Sequence, residues 1–195
     1  MNSNRIRSMT IFETFQQFTE ISPKSLNDLQ QLIVEEKYSK GEHLLRFGEY
    51  DKDFFFIVEG SARAYYLRDG TDITDYFALD GQFIGGLESL FQAEPALKAI
   101  ELTEDSVVQS FNYVEFEKVC TKHHELERLG RKLVTHLFIL AQQVVEDLRF
   151  LSAAQRYEQL QIRHPGILNR VPLKHIASYL NISIVSLSRI RSGKQ

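Results

Sequence analysis

Between Gln159 and Gln195 the chain carries six basic side chains, Arg163, Arg170, Lys174, Arg189, Arg191 and Lys194, and no Asp or Glu. Residues 1–158 hold the other 17 Lys and Arg against all 26 Asp and Glu, so a net charge of −3 conceals parts of −9 and +6. An acid-free basic stretch is chemistry for a phosphate backbone, which Lys, Arg and helix ends contact with release of counterions. Within it, Arg189 has the planar fork that reads guanine, with Ser186 and Ser188 as weaker hydrogen-bonding neighbours. Lys174, His175 and Arg191 suit phosphates, which position a protein without specifying a sequence. Ile184 and Val185 can touch a thymine methyl but cannot bond a purine edge.

Other chemistries find no such support. The run HHELER has no second His four residues after its His-Glu, so it is not a zinc-protease motif, and we expect no metal. There is no Gly-x-Ser-x-Gly, no glycine loop before a Lys and no cysteine pair, so no enzyme is indicated. The single cysteine, Cys120, excludes an internal disulfide and is expected to fill space. Asp51 and Asp53 flank a turn and read as loop chemistry.

The basic residues need elements to hold them. In VPLKHIASYLNISIVSLSRIR, the apolar positions Ile176, Ala177, Leu180, Ile182, Leu187 and Ile190 run at helical spacing, break at Asn181 and resume at a new phase. Two short helices and a tight turn follow, with small Ala177 at the crossing. Asn181 suits the left-handed turn, and Ser183 can cap the second helix. An ordinary packed helix pair has the same pattern; the one-signed charge favours a helix-turn-helix whose second helix enters a major groove.

Upstream, Thr10–Tyr38 reads as two helical pieces, with Ser22 as N-cap and Pro23 in the first turn of the second. Glycines at 41, 48, 60, 70 and 81 then punctuate runs rich in Phe, Tyr, Ile and Val: DFFFIVEG, SARAYYLR, the hairpin signal Asp69-Gly70 and TDITDYFA. Strict alternation puts Ile73, Asp75 and Phe77 on one face. Seven or eight short strands through Phe111 predict an antiparallel, jelly-roll-like β-roll. Tyr113–Cys120 reads as a short helix and about His124–Phe150 as a long one. Its seam of Leu126, Leu129, Leu133, Leu137, Leu140, Val144 and Leu148 recurs at threes and fours. Either the β-roll covers that seam or a parallel helix of a second copy does, and we expect the second. A two-fold dimer would set two recognition helices roughly 34 Å apart on DNA. Ser152 caps a further helix, which Pro165-Gly166 ends. No export signal and no apolar run of membrane-spanning length occurs, so we expect a cytoplasmic protein.

KGEHLLRFGEYDKDFFFIVEG, FIGGLESLF and RVPLKHIASYLNISIVSLSRIR, in that order around the long helix, resemble the Crp/Fnr family of transcriptional regulators. The resemblance covers nearly the whole chain. It implies an α+β chain: a cyclic-nucleotide-binding-like β-roll sensor over residues 1–122, a long dimerisation helix over 123–151, and an all-α helix-turn-helix domain over 152–195. The partners it implies are double-stranded DNA, a second copy of the chain, RNA polymerase and a small effector held in the roll. No cofactor is identified. A sensing or scaffolding protein whose DNA reader has decayed is the alternative.

Two departures from the family pattern bear on function. Cyclic-AMP-binding members present a Gly-Glu pair to the ribose and, later, an Arg followed by a small polar residue and Ala to the cyclic phosphate. Here Gly85, Gly86, Glu88 and Ser89 stand at the first place and Leu97, Lys98 and Ala99 at the second. Lys98 lacks the fork of bidentate phosphate recognition, and Phe77, Phe83 and Ile100 suggest an apolar lining. Cyclic AMP, another small effector and an empty-handed pocket all stay open, with cyclic AMP disfavoured. In the reader, Ile184 and Val185 replace the polar first turn common in the family. With four residues after Arg191, the β-hairpin wing is expected to be missing.

Overall fold

The computed structural model describes residues 10–193; Lys194 of the basic stretch lies outside the described residues. Two short helices, α1 (Ile11–Phe18) and α2 (Pro23–Gln30), precede eight strands. These are β1 (Val34–Tyr38), β2 (His43–Leu45), β3 (Asp53–Glu59), β4 (Ala62–Arg68), β5 (Thr71–Ala78), β6 (Gln82–Ile84), β7 (Lys98–Leu102) and β8 (Ser106–Asn112), with α3 (Leu87–Gln92) between β6 and β7. They form two antiparallel four-stranded sheets, ordered β1-β8-β3-β6 and β2-β7-β4-β5. Helices α4 (Tyr113–Cys120), α5 (His124–Phe150), α6 (Ala153–Arg163), α7 (Leu173–Tyr179) and α8 (Ile184–Arg191) complete the chain. The expected order of β-roll, long helix and small C-terminal helices is therefore present.

Local signals explain most boundaries. Ser22 accepts from the Ser25 N–H ahead of Pro23, and Ser152 closes a capping box with Gln155. Asp69 and Gly70 both take positive φ, which gives the β4–β5 hairpin the turn handedness its twist requires. Gly60 (φ 118°) has a second constraint: a Cβ there would lie 2.1 Å from Ser106 Oγ.

Three expectations need correction. The segment Val34–Tyr38 is not helical but an edge strand paired to β8, and its charged Glu35, Glu36 and Lys37 suit an open edge. In β5, Tyr65 pairs with Thr74 and Ala64 with Tyr76, so Asp75 is an extra, bulged residue. The bulge breaks the alternation that would have put Ile73, Asp75 and Phe77 on one face. Finally, the long helix has two halves with different partners. Leu126 and Leu129 are fully buried in the chain's own core with Ile11, Phe15, Phe56 and Phe116, and Leu133 packs against it. Those two leucines cannot face a second copy, because the β-roll and α1 already cover them.

Beyond Leu133 that cover thins among the described residues, with Phe18 against His136 at 5.4 Å. Val134, Phe138, Leu140, Val145, Leu148 and Phe150 are exposed, while Leu137 and Val144 are half-buried. No helix among the described residues is long and apolar enough to cross a membrane.

The interior of the roll is formed by Phe55, Ile57, Ala62, Ala64, Ile84, Ile100, Leu102 and Val108. β3 reads as a continuous apolar run because its other face, Phe54, Phe56 and Val58, meets the helices. A third core joins the C-terminal helices to the roll. Leu160, Ile167, Ile176, Ala177, Leu180 and Leu187 close over Phe77 and Leu79, at and just beyond the end of β5.

Candidate nucleic-acid interface and effector pocket

The turn between α7 and α8 is built by its backbone. Asn181 adopts φ 54°, the Ile182 N–H donates to Ala177 O at 3.0 Å, and the Asn181 N–H donates to Ser178 O at 3.0 Å. This pair of bonds satisfies the last carbonyls of α7 and turns the chain. Ser183 Oγ then accepts from the Ser186 N–H at 3.0 Å and caps α8. Leu187 is buried against α7, which leaves Ile184, Val185, Ser186, Ser188, Arg189 and Arg191 exposed along α8, and Lys174 exposed on α7.

Not every basic residue is on that surface. His175 is only 7% exposed, so it cannot serve a phosphate as expected. Burial, then the nearby Arg63 charge, lowers its pKa to about 4, and it stays neutral near pH 7. Arg163 is spent on Asp147 of α5 at 2.5 Å. Arg170 binds Asp80 at 2.5 Å, Glu104 at 2.6 Å and the Gly60 carbonyl at 2.8 Å, all on the roll. Ser178 adds two bonds to β5, accepting from the Thr74 N–H at 2.9 Å and donating to Asp72 O at 3.2 Å. His164 Nδ1 lies 3.1 Å from Gln82 Oε1, and burial lowers its pKa to about 4. The C-terminal helices are thus fixed to the β-roll by ions, hydrogen bonds and a shared apolar core.

At the mouth of the roll, the bulged Asp75 meets Lys98 Nζ at 2.9 Å, and Glu88 meets it at 3.1 Å. Lys98 lies 5.2 Å and 5.7 Å from the ring centres of Tyr66 and Tyr76. Burial works against its charge, but Asp75 more than offsets that and holds its pKa above the usual lysine range. Tyr76 Oη donates to Gly85 O at 2.7 Å and accepts from the Gly85 N–H at 3.1 Å. Asp51 accepts from the Gly86 N–H at 2.6 Å, while its own N–H donates to Ser89 Oγ at 2.9 Å. Burial raises the Asp51 pKa, and the Gly86 bond opposes that.

Of the residues expected in the pocket, Gly85, Gly86, Glu88, Ser89 and Lys98 therefore converge. Four do not. Leu97 is 72% exposed, and the pleat puts Ala99 on the face opposite Lys98. Phe77 belongs to the core of the C-terminal helices, and Phe83 stacks on Phe15 at 5.8 Å outside the roll. Sequence reasoning missed Asp51, Asp75, Tyr66 and Tyr76. The tyrosines follow from the inward parity of β4 and β5 once the bulge is known; Asp51 carries no sequence signal beyond its turn. The cluster can neutralise Lys98 internally, and the Asp51 carboxylate already holds the Gly86 N–H.

Residues 35–123 match the cyclic nucleotide-binding domain. Among solved structures, FixK2 from Bradyrhizobium japonicum superposes with a TM-score of 0.68 at 21% identity, covering 83% of this chain and 84% of that one. The c-di-GMP responsive global regulator CLP, which links cell-cell signaling to virulence gene expression in Xanthomonas campestris, gives 0.64 at 12% identity, covering 88% and 91%. A cAMP-dependent protein kinase regulatory subunit from Blastocladiella emersonii is 25% identical over 149 residues. That match takes in 74% of this chain, which spans about a third (34%) of the relative's length.

Proposed function

From a cyclic nucleotide-binding domain set in the Crp/Fnr fold, we propose that this chain is a DNA-binding transcriptional regulator. One observation carries the reading: a capped helix, α8, whose exposed side holds Arg189, Arg191, Ser186 and Ser188 and no carboxylate. Arg189 reads a base and Lys174 and Arg191 hold phosphates, while Ile184 and Val185 meet thymine methyls. The exposed apolar half of α5 pairs with the same half of a second copy, so that two readers face one duplex. RNA polymerase is the further partner of such a regulator, and the cytoplasm is where it would work.

The effector is not cyclic AMP in this reading. Asp75 and Glu88 occupy Lys98 and would repel a cyclic phosphate brought beside it. The test is fluorescence anisotropy of the protein on DNA from its own upstream region and on an unrelated duplex of equal length, over a series of salt concentrations. A preference for its own DNA that Arg189→Ala removes, while Lys174→Ala weakens both duplexes alike, is the expected result. Equal, salt-labile binding to both, indifferent to Arg189→Ala, would leave a sensor whose reader does not read. The apolar first turn of α8 is the observation that favours that second reading.

A further inference from the structure

A cavity of about 540 Å³ lies outside the roll, between the outer face of the β1-β8-β3-β6 sheet, α3, α4 and α5. Six rings line it: Phe54 and Phe111 from the sheet, Phe83 from β6, Phe91 from α3, Tyr113 and Phe116 from α4. Its size and apolar walls are those of small-molecule sites. The polar groups at its edge, Glu117, Glu127 and Arg131, carry both signs and offer no strong preference for a charged occupant.

The fourth wall is α5, and there the chain places Gly130. A glycine inside a long helix is unfavourable relative to alanine. The protein's own packing gives no reason for it, since a Cβ at 130 would sit 3.5 Å from the Phe116 ring, an ordinary contact. What Gly130 does provide is a stretch of α5 without a side chain in the cavity wall. We propose that this cavity binds a flat, uncharged, apolar molecule of aromatic type, stacked among the Phe and Tyr rings and lying against Gly130. The site is separate from the Lys98 cluster at the mouth of the roll. Leu133, Val134 and Leu137 also line it, and they begin the exposed half of α5, so an occupant would touch the helix through which two copies join. That this occupant acts as an effector rests on the reading proposed above; that the cavity is a site does not.

The test is titration of the purified full chain with N-phenyl-1-naphthylamine, a neutral aromatic dye that fluoresces in apolar surroundings. Saturation at about one dye per chain is expected. Gly130→Leu, which fills the cavity, and Phe91→Ala, which removes a half-exposed ring, should each weaken binding, the first by at least about tenfold. Leu67→Ser, at the exposed end of β4 and outside the cavity lining, should leave it unchanged. A non-saturating signal, affinity indifferent to both cavity variants, or loss confined to Leu67→Ser would overturn the proposal. Anisotropy on DNA with and without dye reads the functional link separately. Dye binding by a chain that ignores DNA leaves the site standing and sinks the regulatory reading alone.

Discussion

The guanidinium of Arg170, just ahead of α7, lies 2.5 Å from the carboxylate of Asp80, in the turn between β5 and β6. Glu104 and the Gly60 carbonyl complete its shell, so one side chain ahead of α7 ties together three turns of the β-roll. The contact holds the segment that leads into α7 against the β-roll.

Arg170→Ala should therefore change DNA binding without touching DNA. Solvent screening limits its effect on stability to about 1 kcal/mol. We expect a larger effect on the response of DNA affinity to any effector, because one of the contacts that hold the C-terminal helices to the β-roll is gone while the shared core remains. Urea unfolding and anisotropy, run on the same preparation, separate the two; a full loss of fold with Arg170→Ala would contradict the limited role assigned to it.

Acid should loosen the same joint. His164 and His175 both have pKa values lowered to about 4 by burial, against about 6.5 when unfolded. Above pH 6.5 neither state binds the proton, and the full stability is present. As pH falls from 6.5 towards 4 the unfolded chain takes up protons that the folded one refuses, at a cost on the order of 1–2 kcal/mol per histidine by about pH 5. Thermal midpoints at several pH values should fall over this window, and His175→Leu should flatten the fall.

Cyclic AMP should leave the protein's melting unchanged. A ligand at about 1 mM that bound in the roll with even micromolar affinity would stabilise the fold by about 4 kcal/mol and raise the midpoint by several degrees. With Lys98 paired to Asp75 and Glu88, a shift under about 1 °C is expected. A clear rise at that concentration would show that the carboxylates give way.

Charge on the open half of α5 should separate the copies. Phe138→Glu combined with Leu148→Glu adds carboxylates at two sites that are 61% and 51% exposed in one chain, so the fold itself should tolerate them. Sedimentation should report a dimer for the unaltered chain and a monomer for the double variant. Leu126→Glu is the contrasting case: that side chain lies in the chain's own core, and its replacement should unfold the protein.

Where a residue's role is set by its immediate neighbours, the chain announces it. Asn181, Ser183, Ser152, Pro23 and the Asp69-Gly70 pair all mark ends or turns that hold in the structure, because a cap or a positive φ is decided within a few residues. Roles decided at a distance were hidden. The periodicity of α5 is the same for Leu126, which meets Phe15, and Leu148, which meets solvent; only the place where the roll ends tells them apart. Arg163 and Arg170 look like their basic neighbours until Asp147, Asp80 and Glu104 are brought to them from 16, 90 and 66 residues away. The bulge at Asp75 reversed the parity of β5, moved Phe77 out of the expected pocket and gave Lys98 a partner.

The fate of Phe77 limits how this chain can be taken apart. The β-roll and the C-terminal helices share a strand: β5 and the residue after it supply Phe77 and Leu79 as the floor beneath Ile176, Ala177 and Leu180. A segment cut at 152 and transplanted onto a foreign sensor would arrive without that floor. Any exchange of specificity between relatives would have to carry a patch of the donor's sheet along with its helices.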